Sequence, residues 1–136
     1  MAESEDTIAV FTFPLPSPTN YALLANLATI LSWVYKRVII ITGSFVSHLP
    51  DIIGDLKYSN KKSIYVYDFK YKLPPRGGNA SVLTKFFAYV RIQLSFIVAV
   101  LKLRSNFNTA LFFIGVPDML MVLIILRLLR KKVVVY

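Results

Sequence analysis

The sequence predicts an α/β fold in which a doubly wound parallel sheet of about five strands carries helices on both faces. Short apolar runs alternate along the chain with longer stretches of helical periodicity. Residues 38–42 (VIIIT) are continuously apolar, which predicts a short strand. The closing stretch, residues 108–136, has the pattern of strand, tight loop, helix and strand, and this βαβ unit favours parallel strands.

The first third of the chain predicts a leader, a strand and a helix. Residues 1–6 are expected to form a disordered acidic leader, and one domain is expected over residues 7–136. A β-rich run at 7–13 is followed by Pro14, Pro16 and Pro18, which exclude regular structure up to residue 20. Apolar residues then recur on one face over 21–35, which predicts a covered helix.

The middle of the chain predicts two strands and a long helix. Strands are expected at 38–42 and 63–69, with a weakly indicated helix at 47–57 between them. A loop rich in proline and glycine precedes a long helix over 81–104. The polar residues of this helix share one narrow stripe: Thr84, Arg91, Ser95 and Lys102. The rest of its circumference is apolar, so we expect protein, a partner or a membrane to enclose it.

The closing unit carries its own signals for where its helix begins and ends. Pro117 and Asp118 suit the first turn of a helix. The N–H group that a proline lacks has no intrahelical partner there, and the carboxylate complements the positive end of the helix dipole. Cations follow at the other end: Arg127, Arg130, Lys131 and Lys132. Both strands of the unit are continuously apolar, so both are expected to be covered on two faces.

The composition is apolar and basic. Hydrophobic residues make up 56% of the chain, charged residues only 17%, and the net charge is +9. An anionic partner is therefore expected, and the apolar character favours phospholipid headgroups over nucleotide phosphate. Nucleic acid is not an expected partner, because no recognised binding module is present.

Cysteine is absent and there is a single histidine, so neither disulfides nor a metal site is expected, and no cofactor is assigned. The acidic amino terminus does not resemble a secretory signal. No clean run of about 18 apolar residues occurs, which favours peripheral attachment over a membrane span. We therefore expect a cytoplasmic protein that is peripheral at the inner face of the membrane.

Basic and aromatic residues are interleaved around the start of the long helix. The predicted membrane-contact residues are Lys70, Lys72, Arg76, Lys85, Phe86, Phe87 and Arg91. Lysine and arginine reach anionic headgroups while aromatic rings sit at the interface. The alternative, a solvated basic loop beside a buried helix, stays open.

Ligand-binding candidates follow from the predicted topology, because ligands bind at the carboxyl ends of strands in open parallel sheets. The candidates for acceptor or phosphate binding are Ser17, Thr19, Asn20, Gly43, Ser44 and Gly115. Each also has a structural interpretation, since Thr19 or Asn20 can cap a helix and Gly115 can allow a sharp turn. His48 as a general base and Asp68 as a ligand for a sugar hydroxyl are weaker hypotheses than a surface histidine and a charge-paired aspartate.

Three stretches resemble the amino-terminal half of GT-B glycosyltransferases of the family 4-like group. They are the first strand with its loop over 8–20, the loop YDFKYKLPPRGGNAS with the helix after it, and the unit FFIGVPDMLMVLIILRLLRKKVVV. The resemblance implies a Rossmann-like domain that holds the acceptor and faces the membrane. In such enzymes a second Rossmann-like domain binds the nucleotide-sugar, and that domain is absent from these 136 residues.

The function that the resemblance implies is transfer of a sugar, as a hexosyltransferase, from a nucleotide-sugar to a lipid-linked or glycan acceptor. The expected partners are a carboxyl-terminal glycosyltransferase half or subunit, the acceptor and an anionic membrane surface. Without that half we expect no catalysis, and no catalytic residue is assigned. The alternative is a small non-enzymatic protein that binds a membrane or acts as a scaffold.

Overall fold

A computed structural model describes residues 6–12, 18–42, 64–68, 81–113 and 119–136, without the side chains of residues 18–21 and of Asp68. The elements in chain order are β1 (Thr7–Thr12), α1 (Pro18–Val34), β2 (Arg37–Thr42), β3 (Ile64–Asp68), α2 (Val82–Leu103), β4 (Thr109–Phe113), α3 (Leu120–Leu128) and β5 (Lys132–Val135). The helix predicted at 47–57 and the helix start predicted at Pro117 and Asp118 lie outside the described residues.

The five strands form one parallel sheet in the order β3-β2-β1-β4-β5. This confirms the predicted α/β fold, which is Rossmann-like. The chain moves outward from β1 to β3 and then crosses back to place β4 on the other side of β1. The strand order therefore reverses between β1 and β4, and ligands in open α/β sheets bind at the carboxyl ends of the strands beside such a point.

Helices cover both faces of the sheet. Ala9 and Phe11 of β1 belong to the core cluster beneath α2 and α3, whereas Ile8 and Val10 belong to the cluster beneath α1. Residues of both β1 and β4 are buried at every position. The continuous apolar run of β4 is therefore covered on two faces, as predicted, and β1 is covered in the same way.

Phenylalanine rings fill the core between the sheet and α2. The Phe11 ring lies 5.1 Å from the Phe112 ring, centroid to centroid, in a stacked arrangement. The Phe96 and Phe107 rings each lie 6.3 Å from the Phe11 ring. All four side chains are fully buried, so this cluster fixes α2 against the carboxyl-terminal half of β1.

Strand β5 was predicted to be covered on two faces, and this prediction was wrong. Among its residues only Val133 is half-buried, and it packs against the cluster beneath α3. Val134 and Val135 remain 46% and 56% exposed. The reason is position, because β5 pairs with β4 alone and forms the edge of the five-stranded sheet. Its apolar run matches that of a central strand although its surroundings do not.

The prediction for α1 was right about the helix and wrong about its start and its coverage. The helix begins at Pro18, which its fixed backbone angle suits to a first helical position. Leu24 and Ala28 are buried against the sheet, but Ile30 and Val34 of the predicted apolar face are 53% and 75% exposed. One sheet face covers only part of the helix circumference, so this apolar stripe is wider than its contact.

Helix α2 is longer than the sheet that it crosses. Its 22 residues extend about 33 Å at 1.5 Å per residue, whereas the six residues of β1 extend about 20 Å. Because α2 starts on the carboxyl side of the sheet and its buried residues begin only at Ile92, its surplus length lies at the carboxyl edge. Residues 82–87, all of them exposed, form what we call the overhang. Ser81 caps its start, where its hydroxyl accepts a hydrogen bond from the Thr84 N–H at 3.3 Å.

The far end of α2 is held by Lys131. Its Nζ donates hydrogen bonds to the carbonyl oxygens of Arg104 and Phe107, both at 2.6 Å, and lies 5.2 Å from the centre of the Phe107 ring. Partial burial lowers the pKa of this ammonium, since desolvation disfavours the charged form. Lys131 was predicted to complement the dipole of its own helix, but its side chain serves the end of α2.

The turn after α3 gives Lys131 this position. The Lys131 N–H bonds the Leu126 carbonyl and the Arg130 N–H bonds the Arg127 carbonyl, each at 3.0 Å. This is the Schellman arrangement, which requires a left-handed residue between the helix and the following segment. Arg130 occupies that position with φ 56°, although glycine adopts this conformation more easily.

Candidate ligand-binding edge of the sheet

Four strand-end residues line up across the carboxyl edge. The register pairs Asp68 with Thr42, Thr42 with Thr12, and Thr12 with Phe113. Three of these four residues are polar, each ending an otherwise mostly apolar strand. The row includes β1 and β4, where the strand order reverses, so it borders the crevice that this fold uses for ligands.

The two threonines of the row are buried. Thr12 is 2% exposed and Thr42 is 4% exposed. A hydroxyl can donate and accept hydrogen bonds, which suits recognition of sugar hydroxyls. Sequence reasoning missed both residues, although a polar residue at the end of each of three consecutive apolar strands was a usable signal. Asp68, weighed earlier as a ligand for a sugar hydroxyl, holds the adjacent register position.

Helix α1 begins directly beyond this row. Thr19 and Asn20 lie inside its first turn, so neither is the cap that the sequence predicted, because the helix starts earlier at Pro18. The first turn contains no acidic residue. Its free N–H groups therefore face the edge with a positive dipole end and no local carboxylate.

Gln93 lies on the inner side of α2 near the same edge. It precedes Phe96, which packs on Phe11, by three residues, or about 4.5 Å of helix rise toward the carboxyl edge. The side chain is fully buried, and neither its Oε1 nor its Nε2 has a hydrogen-bond partner among the described residues. An amide can both donate and accept hydrogen bonds, so Gln93 would pair with a polar group placed beside it. In the sequence, Gln93 is only a polar residue within a mostly apolar stretch.

The overhang contributes apolar surface and a cation beside this edge. Phe86 and Phe87 are 59% and 65% exposed, and their rings meet edge to face at 6.1 Å. Lys85 and Arg91 are also exposed. The structure therefore places these four predicted membrane-contact residues on the exposed surface of one helix segment.

The remaining predicted site residues lie outside the described residues. These are Ser17, Gly43, Ser44, His48, Lys70, Lys72, Arg76 and Gly115. Their placement relative to the threonine row stays a prediction.

Positive charge dominates the described surface. The described ranges contain ten lysines and arginines but only two acids, Asp6 and Asp68. Asp6 pairs with Lys36 at 2.5 Å. Among these residues no group of three or more histidines or acids could hold a metal ion.

A second concavity lies along β2 and β3, beside the end of α2. It has a volume of about 350 Å³ and is lined by Arg37, Ile39, Tyr65, Val66, Tyr67 and Leu103. The Arg37 guanidinium lies 5.6 Å from the centre of the Tyr65 ring. Arg37 begins β2, whereas Tyr67 pairs with Ile41, one position before the threonine row, so this concavity runs along most of β3.

Comparison of the chain with family models, with curated proteins and with solved structures finds no match.

Proposed function

We propose that this chain is the acceptor-binding, membrane-apposed amino-terminal half of a glycosyltransferase. The enzyme would transfer a sugar from a nucleotide-sugar to a lipid-linked or glycan acceptor. A carboxyl-terminal half, supplied by further sequence or by a second polypeptide, would bind the nucleotide-sugar. The chain would act on the cytoplasmic side of the membrane as a peripheral protein.

The observation that carries this proposal is the joint position of the threonine row and the overhang. Thr12 and Thr42 end strands beside the reversal of strand order, and α2 extends past the sheet at that same edge. A lipid-linked acceptor needs both surfaces together, a polar crevice for its sugar or phosphate and an apolar, cationic surface for its lipid.

The assignment to sugar transfer rests on the sequence resemblance to the family 4-like glycosyltransferases. The resemblance implies that the first half holds the acceptor and that the donor site lies elsewhere. The described fold is compatible with this division, because the threonine row offers hydroxyls that suit an acceptor. Sugar binding by neutral hydrogen-bonding groups is ordinary chemistry for such a crevice.

Membrane attachment by a single span is the less favourable alternative. Among the described residues α2 is the one helix long and apolar enough to cross a bilayer. Its inner side, however, forms part of the sheet core through Phe96 and Val100. Withdrawing α2 would expose the phenylalanine cluster to water, at a cost of about 1.5–3 kcal/mol for each large side chain.

A transfer assay tests the proposal. The purified chain is incubated with radiolabelled nucleotide-sugars and a detergent-solubilised lipid extract, alone and together with the polypeptide encoded next to it. We expect label in the lipid fraction only from the mixture. Turnover by the chain alone would contradict the division of labour, and no transfer by any mixture would favour the non-enzymatic scaffold.

Threonine variants sharpen the assay. Thr42→Val keeps the shape of the buried side chain and removes its hydroxyl, so we expect transfer to fall by about tenfold, the worth of one net hydrogen bond. Thr109→Val is the matched control, because Thr109 is also buried in the sheet but begins β4 at the opposite edge. Equal losses in both variants would mean that the effect is one of folding.

A further inference from the structure

The outer sides of α2 and α3 form one apolar surface that the fold leaves without a partner. Both helices pack on the same sheet face, and both contribute buried residues to the same core cluster. On their other sides, large aliphatic side chains remain between 47% and 73% exposed. The six that we call the outer face are Leu94, Val98 and Leu101 of α2 and Leu120, Ile124 and Leu128 of α3.

Cations surround this outer face. Arg91 and Lys102 accompany it on α2, Arg127 accompanies it on α3 and Arg130 lies in the turn after α3, and all four are exposed. The described residues from Ser81 onward contain eight lysines and arginines and no acid. An aliphatic surface beside exposed cations has the composition of a helix face that lies in the boundary of an anionic bilayer.

The charge around the outer face favours an anionic membrane over a second copy of the chain. A second copy of the chain would oppose cations with cations across the contact, which is unfavourable. A membrane containing anionic lipid instead neutralises them while burying the aliphatic side chains.

We infer that the protein rests on an anionic membrane through the outer face, with α2 and α3 lying along the bilayer surface. The inference deepens the proposed membrane attachment, on which it rests, and assigns it to a surface beyond the overhang. Burial of Ile92, Phe96 and Val100 on the inner side holds α2 against the sheet, so the helix lies on the bilayer and does not cross it. Helix α1, on the opposite face of the sheet, then faces the aqueous phase.

Vesicle binding tests the surface. The full chain is sedimented with vesicles of phosphatidylcholine alone or mixed with phosphatidylglycerol, at low and high salt. We expect binding to the mixed vesicles that weakens as salt rises, because charge contributes part of the attraction. Leu94→Glu and Ile124→Glu should each weaken binding about tenfold or more, since each removes an aliphatic side chain from the bilayer.

The matched control lies on α1. Ile30→Glu and Val34→Glu change apolar residues that are 53% and 75% exposed, on the far side of the sheet, and should bind as the unaltered chain does. Circular dichroism confirms that each variant is folded. Equal binding by the two sets of variants would overturn the inference, as would a dimer in solution that only the outer-face variants dissociate.

The single tryptophan gives an independent test of orientation. Trp33 lies on α1 and is 70% exposed, so its emission should stay unshifted on vesicle binding and unquenched by brominated lipid. Leu94→Trp in a Trp33→Phe background should shift to the blue and be quenched. The reverse pattern would overturn the inference, whereas the transfer assay in detergent tests the enzymatic proposal without a bilayer.

Discussion

The two sides of α2 have nearly the same apolar composition and opposite surroundings. On the inner side Ile92, Phe96 and Val100 are at most 7% exposed, and on the outer side Leu94 and Val98 are about half exposed. The inner side packs on the sheet, whereas the described residues leave the outer side uncovered. The difference shows that the apolar residues of a crossover helix have two separate causes. One set packs in the core, and the other set suits contact with a molecule outside the fold.

The largest effect should come from breaking the inner side. Phe96→Ala removes a fully buried ring from the phenylalanine cluster, and we expect the free energy of unfolding in urea to fall by about 3–5 kcal/mol. Val98→Ala on the outer side should change it by no more than about 0.5 kcal/mol. Similar losses at the two positions would mean that the outer side is also packed.

The next effect concerns the lysine that fixes the end of α2. Lys131→Met removes two short hydrogen bonds to carbonyls, and we expect unfolding to become easier by about 1.5–3 kcal/mol, the range for hydrogen bonds to a charged group. Denaturant unfolding of the variant and the unaltered chain measures the loss. Lys132→Met, at an exposed neighbouring position, should leave stability nearly unchanged.

The lowered pKa of Lys131 also predicts how the difference in stability between the unaltered chain and Lys131→Met depends on pH. Its folded pKa is lowered from the ordinary 10.5 by desolvation, so the unfolded chain binds more protons in the window just below pH 10.5. The unaltered chain should therefore gain stability relative to Lys131→Met as pH rises through that window. A constant difference from neutral pH to 10.5 would contradict the lowered pKa.

A smaller effect, of opposite sign, is expected from the buried amide on the inner side. Gln93 has no described partner for either side-chain polar atom, and an unsatisfied buried group costs about 1–3 kcal/mol. Gln93→Met keeps the length of the side chain without its polar atoms, so we expect a gain of about 1–2 kcal/mol. If thermal and urea unfolding show a loss instead, Gln93 is hydrogen-bonded in the folded protein.

The smallest effect concerns the turn after α3, which positions Lys131. Arg130 has a positive φ, which costs a residue with a Cβ atom about 1–2 kcal/mol. Arg130→Gly relieves this cost but adds freedom to the unfolded chain, and we expect a net gain of about 0.5 kcal/mol. Arg127→Gly, inside the helix, should instead destabilise by about 1 kcal/mol.

The elements of the fold were largely predictable, and the reason is that their signals are local. Continuous apolar runs and helical periodicity placed the five strands and three helices of the described residues to within a few residues. The start of α1 was missed because Pro18 signals a break and a helix start equally well. The coverage of β5 was missed because an edge strand and a central strand can share one apolar pattern.

The candidate site was less predictable. The sequence directed attention to loops after the strands, whereas the described polar groups of the edge are strand ends and one helix residue: Thr12, Thr42 and Gln93. Only the register brings the two threonines into one row, and only the packing of Phe96 on Phe11 brings Gln93 to the level of that row. Contacts between residues distant in sequence leave no local pattern.

The sequence by itself determined the α/β class, the basic and apolar character of the chain, and the identity of its helices and strands. These follow from periodicity and composition, which act over a few residues at a time. Tertiary structure alone decided which strand is an edge, which side of α2 is core, where the helix outruns the sheet and which lysine holds its end. Those properties depend on what lies opposite each side chain, and the order in which the strands assemble decides that.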